Sequence, residues 1–236
     1  MPTTLERRFI AFLKSLPDSE CLDSQAFCFP SGTRKADFLL HRRRVIAEIK
    51  TITNDPQLKI DRRLDQHLEQ TGVVVFGTVQ SSQLFEDKDE GAKFHQKILR
   101  DITRNTEEMC RSANEQIEET SQHLDIDASG LLIILNESIA PLDPGVVAYR
   151  VCEYLNKKPR RIDYCLLVFE SHQVVGGNGH GSQNQMLVIC ACRTAHRFAD
   201  DYIDQLMQRW AEHNGSEYIR RNTYDPTAIN YRPKQY

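Results

Sequence analysis

Apolar positions along this chain recur in two rhythms, near 3.6 residues and near 2, and the changes between them mark out its elements. Residues 4–16 place Leu5, Phe9, Ile10, Phe12, Leu13 and Leu16 on one helical stripe, and Pro17 follows at its end. Gln25 to Pro30 predicts a first strand, closed by the turn residues Ser31-Gly32. Phe38 and Leu40 then alternate with Asp37 and Leu39, and Val45 to Ile49 is a β-branched run behind a polar cluster. These segments predict two antiparallel strands, over 36–41 and 44–51, joined as a hairpin centred on Arg42-Arg43. An even-length turn at that centre sets Asp37 opposite Glu48.

Downstream, Asp55-Pro56 breaks the chain, residues 57–70 read as a basic polar helix and Val73 to Phe76 as a short buried strand. A helical stripe runs over 93–123 through Phe94, Ile98, Ile102, Met109, Ala113 and Ile117, either unbroken and about 45 Å long or broken near Asn105. Its narrow apolar face suits packing on a sheet or the seam of a homodimer. Gly130 to Leu135, Tyr164 to Phe169 and Met186 to Cys192 are apolar strands, interleaved with helices over Pro144 to Lys157 and 196–213. Continuous apolar strands between helices imply an α/β protein whose mixed sheet is covered on both faces.

Chemistry concentrates in the hairpin. Side chains on a strand alternate faces, so Glu48 and Lys50 share one face while Ala47 and Ile49 share the other. Opposed residues on an antiparallel pair hold their Cβ atoms roughly 4.5–5.5 Å apart. Two carboxylates at that spacing repel unless a cation lies between them, and a divalent metal beside a lysine answers the need. The Asp37…Glu48-x-Lys50 arrangement resembles the catalytic signature of the PD-(D/E)XK, restriction-endonuclease-like nuclease superfamily, with Ala36 in place of the eponymous proline. The order helix, three strands, helix, strand, helix, strand resembles that superfamily's core with additions.

The resemblance implies Mg²⁺-dependent hydrolysis of DNA phosphodiester bonds, with Mn²⁺ able to substitute. It assigns the metal to Asp37, Glu48 and the Ile49 carbonyl, and the nucleophile to Lys50. It also offers Glu6 on the first helix as a further catalytic acid, although Thr3-Thr4-Leu5-Glu6 reads equally as a capping box. A second acid-x-lysine, Glu86-Asp87-Lys88, lies in a polar run with no aspartate strand before it. The rival reading keeps the fold and loses the chemistry, leaving a nucleic-acid-binding or assembly subunit. RNA is admitted by the same residues.

Composition adjusts this picture little. The 236 residues, with no internal repeat, fit one domain over 1–215 and a polar, aromatic extension over 216–236. A net charge of −3 does not advertise nucleic-acid binding, so phosphate contacts must come from local clusters. Those are Arg42, Arg43 and Arg44 at the hairpin tip and Lys59, Arg62 and Arg63 on the following helix. Seven cysteines, an odd number and mostly within apolar strands (Cys28, Cys165, Cys190, Cys192), favour buried thiols in a reducing cytosol over a disulfide framework. A cytoplasmic protein is expected, with no apolar run of membrane length. The glycine-rich loop 176–185, with His180, lacks the Lys-Ser/Thr of a phosphate loop.

Overall fold

A computed structural model describes residues 4–72, 88–157, 161–174, 186–193, 200–220 and 231–233. Expectations for Val73 to Phe76, for Glu86-Asp87 and for the loop around His180 fall outside them. The first helix, α1 (Leu5–Ser15), forms where the stripe places it and ends at Leu16, before Pro17. Its cap is Thr4, whose hydroxyl accepts the N–H of Arg7 at 3.4 Å. Glu6 therefore stands one position too early to close a capping box.

The hairpin has the expected centre. Strand β2 (Phe38–Leu40) runs antiparallel to β3 (Val45–Thr51), pairing Phe38 with Ala47, Leu39 with Ile46 and Leu40 with Val45. The first strand lies elsewhere than expected. Strand β1 is Glu20–Cys21, paired with Leu39 and Phe38, while Gln25 to Pro30 forms turns and irregular chain. Phe27 and Phe29 pack against the core without entering a ladder. Their apolar alternation thus reports partial burial, not strand pairing.

Helix α2 (Gln57–Thr71) follows, and α3 (Lys88–Leu124) is one unbroken helix of 37 residues, about 55 Å long. Beyond it lie β4 (Ser129–Asn136), α4 (Pro144–Lys157), β5 (Ile162–Phe169), β6 (His172–Val174), β7 (Leu187–Cys192), α5 (Asp200–His213) and β8 (Tyr231–Pro233). The main sheet is mixed, in the order β1-β2-β3-β4-β5-β7; β3, β4 and β5 are mutually parallel and β7 is antiparallel to β5. Strand β8, from the C-terminal extension, pairs with β6 in a small second sheet.

Helices cover both faces. On one, α1 and α5 bury Leu5, Phe9, Phe12, Leu206 and Trp210 against Ala47, Ile49, Leu131, Ile133 and Leu166. On the other, α3 and α4 bury Cys110, Ala113, Ile117, Val147 and Val151 against Ile46, Leu132, Ile134 and Leu167. The buried stripe of α3 spans Thr103 to Ser121; before it the helix meets α2 through Arg63–Asp101 and the rings of His67 and Phe94. No side chain of α2 is buried. None of the seven cysteines forms a disulfide, and only Cys110 and Cys165 are buried; Cys28, Cys190 and Cys192 are exposed, the last two because β7 lies at the end of the strand order. Among the described residues no helix is long and apolar enough to cross a membrane.

Candidate active site

The site begins where β2 stops. The N–H of Asp37 donates to the carbonyl of Ala47 at 3.1 Å, and Ala47 is already the partner of Phe38. Two residues facing one is the arrangement of a β-bulge, which re-aims a side chain at a strand's mouth. Asp37 consequently departs from the direct opposition to Glu48 that an unbroken ladder would impose. Beyond this point β3 has no strand alongside on the β2 edge, and the N–H of Ile49 is taken by Asp37 Oδ2 at 2.8 Å.

Glu48 and Lys50 project from β3 toward α3. Lys50 Nζ lies 2.7 Å from Glu48 Oε1 and donates to Gln116 Oε1 at 2.6 Å. Gln116 is fixed in turn, accepting from Ser112 and donating through Nε2 to the carbonyl of Lys35 at 3.0 Å. The segment before Asp37 is held by the same helix, since the N–H of Ala36 donates to Thr120 Oγ1 at 2.8 Å. The sequence marked Asp37, Glu48 and Lys50 but not Gln116. It sits on a polar helical face 66 residues from Lys50, where only the fold shows what it touches.

The electrostatics are those of a pair short of positive charge. Glu48 is 2% exposed. Desolvation first, then the charge of Asp37, pushes its carboxyl up to about 7, against the opposing pull of Lys50 and Gln116. Burial likewise raises Asp37, with the Ile49 N–H and Lys50 acting the other way. With both acids ionised, Glu48 Oε2 is buried and meets no donor. An unmet acceptor beside a second carboxylate fits a hard divalent cation, which prefers oxygen ligands and commonly takes one or two protein carboxylates. Asp37 and Glu48 would hold it, and the backbone group of that strand seen against the pair is the Ile49 N–H, which donates to Asp37 Oδ2.

Glu6 is not brought to this cluster. Its carboxylate accepts from Thr51 Oγ1 at 2.7 Å, and Thr51 shares the α1 face of β3 with Ala47 and Ile49. Helix α1 covers that face, with the Glu6 carboxylate on Thr51 and not on the carboxylate pair. Among the described residues no group of three or more His, Cys, Asp or Glu side chains is placed to hold a metal; Asp37 and Glu48 stand as two. Glu6→Gln should accordingly leave any metal-dependent cleavage unchanged, and a large loss of turnover in that variant would restore it to the site.

The chain matches no family model, no curated protein and no solved structure. Its chemistry is therefore read from its own geometry.

The two basic clusters separate. Arg43 is tied to Glu20 by two hydrogen bonds, at 2.8 and 2.7 Å, and lies over the ring of Phe27. Arg44 is exposed and its carbonyl accepts from Ser129. Val45, where this turn ends, is five residues of extended strand from Lys50, about 17 Å. Glu48 is three residues from Val45, about 10 Å, so that length of strand separates the turn from the carboxylates. On α2, Arg63 is paired with Asp101 of α3, whereas Lys59 and Arg62 are exposed.

Proposed function

We propose that this chain is a Mg²⁺-dependent nuclease that hydrolyses DNA phosphodiester bonds at Asp37, Glu48 and Lys50. The observation that carries the reading is the unmet, buried Glu48 Oε2 beside Asp37, with one lysine held against the pair. The antiparallel run β1-β2-β3 joined through α3 to a parallel β4 agrees with the restriction-endonuclease-like core. When bound, the metal would polarise a phosphoryl oxygen and acidify a water. Lys50 then orients the attacking water and stabilises negative charge developing on the phosphorane oxygens. Gln116 holds the ammonium in place, and both acids must shed their protons for the site to fill. Activity should rise with pH through about 7, where Glu48 ionises.

The test is incubation with supercoiled plasmid, linear duplex, single strands and RNA, with and without Mg²⁺ or Mn²⁺. Cleavage that needs the ion and disappears in Asp37→Ala supports the proposal; ion-independent or absent cleavage sinks it. A second reading, a binding or assembly subunit of the same fold, draws on the absence, among the described residues, of a third acid placed with the pair to hold a metal. Calorimetric titration with Mn²⁺ separates the two, since heat that is lost in Asp37→Ala requires an intact site.

For DNA, Lys59 and Arg62 are the exposed cations on the helix that follows the site, and they supply phosphate contacts, not base reading. Neutralising both should flatten the dependence of log K on log salt by about 0.9 per lost contact while leaving the cut sequence unchanged. An unchanged slope and affinity would place α2 away from the DNA.

A further inference from the structure

The turn between β2 and β3 is strained. His41, Arg42 and Arg43 all have positive φ, 52°, 54° and 63°, and none is glycine. Such a run persists only where the surroundings over-determine it, and strain of this kind collects at functional positions. Both flanks are tethered. His41 stacks on Tyr202, ring centroids 4.3 Å apart, with Nδ1 3.9 Å from Asp18, while Arg43 is clamped by Glu20. Arg42, between them, is exposed and makes no hydrogen bond or ion pair among the described residues.

Arg42 overhangs an open pocket of about 620 Å³ that is also lined by Asp18, Ser19, Glu20, Arg43 and Arg209. Arg209 comes from the exposed side of α5, on the sheet face opposite α3, so this pocket is separate from the carboxylate pair. Like Arg42, Arg209 has no ion pair among the described residues. In the pocket wall, Asp18 Oδ1 and Ser19 Oγ are shut from solvent and meet no partner. The walls therefore leave two guanidinium groups without a counter-ion among the described residues and the Ser19 hydroxyl with a proton to donate, while the unmet Asp18 Oδ1, an acceptor, does not itself favour an anion.

We propose that this pocket is a binding site for a phosphate monoester, the 5′-phosphate of a nucleotide or of a strand end, gripped by Arg42 and Arg209. Guanidinium forks match phosphate oxygens two at a time, and two from separate elements can hold one phosphate between them. Asp18 and Glu20, which also line the pocket, disfavour a polyanion lying along the surface and favour a single terminal charge seated between the arginines. The site is independent of whether Asp37 and Glu48 cleave DNA.

The experiment is calorimetric titration of the full chain in EDTA with a 5′-phosphorylated tetranucleotide, its 5′-hydroxyl counterpart and deoxyadenosine 5′-monophosphate. The phosphorylated oligonucleotide should bind at least about tenfold more tightly than the hydroxyl form, the worth of one or more charge-assisted hydrogen bonds. That preference should vanish in Arg42→Gly and in Arg209→Gln. Glycine accepts φ 54° without strain, so Arg42→Gly should melt no lower than the wild type and its loss of binding is not loss of fold. Equal binding of the two oligonucleotides, or a preference that survives both substitutions, overturns the proposal. Within a positive result, a free nucleotide that binds as tightly as the strand end makes the mononucleotide the ligand, and one that binds weakly makes it the strand.

Discussion

Glu48→Gln should abolish cleavage and, in EDTA at pH 8, make the protein more stable than the wild type. The sign follows from proton linkage. Between pH 4.5, the ordinary value, and about 7, folded Glu48 holds a proton that the unfolded chain has released. Stability therefore falls as pH rises through that window, and the loss is complete above it. A shift of this size corresponds to about 3 kcal/mol at pH 8. The amide carries no charge, escapes that cost and can donate to Asp37, so the variant should melt roughly 6–12 °C higher. At pH 5 both side chains are neutral and the gap should close. A wild type that melts as high as Glu48→Gln at pH 8 would mean that the pair is not charge-strained, and the argument for a cation there would go with it.

Lys50→Ala should lower cleavage by about 10²–10³, the usual cost of removing one preorganised charge at a reacting centre. Its ammonium bridges Glu48 Oε1 and Gln116 Oε1, and among the described residues no other lysine or arginine makes an ion pair with Glu48. The variant should still give heat on titration with Mn²⁺ and should bind DNA as before, because the ligand oxygens and the α2 cations are untouched. Asp37→Ala should lose the metal signal as well. If both variants cleave at the wild-type rate, the activity belongs to another site or another protein.

What the sequence could disclose here depended on how local the physics is. The hairpin was legible because β-branched residues and an even turn fix register within a dozen residues, and the observed pairing of Phe38 with Ala47 has that centre. The bulge at Asp37 was not, since it arises where β2 stops. The place of Glu6 was not legible, because amphipathicity shows that α1 has a buried side without showing which sheet face it covers. Gln116 looked like any polar residue on a helix. Cys190 and Cys192 sit in an apolar run, but their exposure follows from the position of β7 in the strand order.

The uneven depth of the fold has a consequence for its local opening. Every residue of β4 and β5 is buried and α2 buries none, so amide protons should exchange slowest in the two central strands and fastest in α2. Glu48 and Lys50 lie on β3, hydrogen-bonded directly to β4, and belong to the part that opens last. Lys59 and Arg62 belong to the part that opens first. In the proposed reading, the reacting groups are thus preorganised before substrate arrives, whereas the cations that meet the backbone are ordered by the encounter itself.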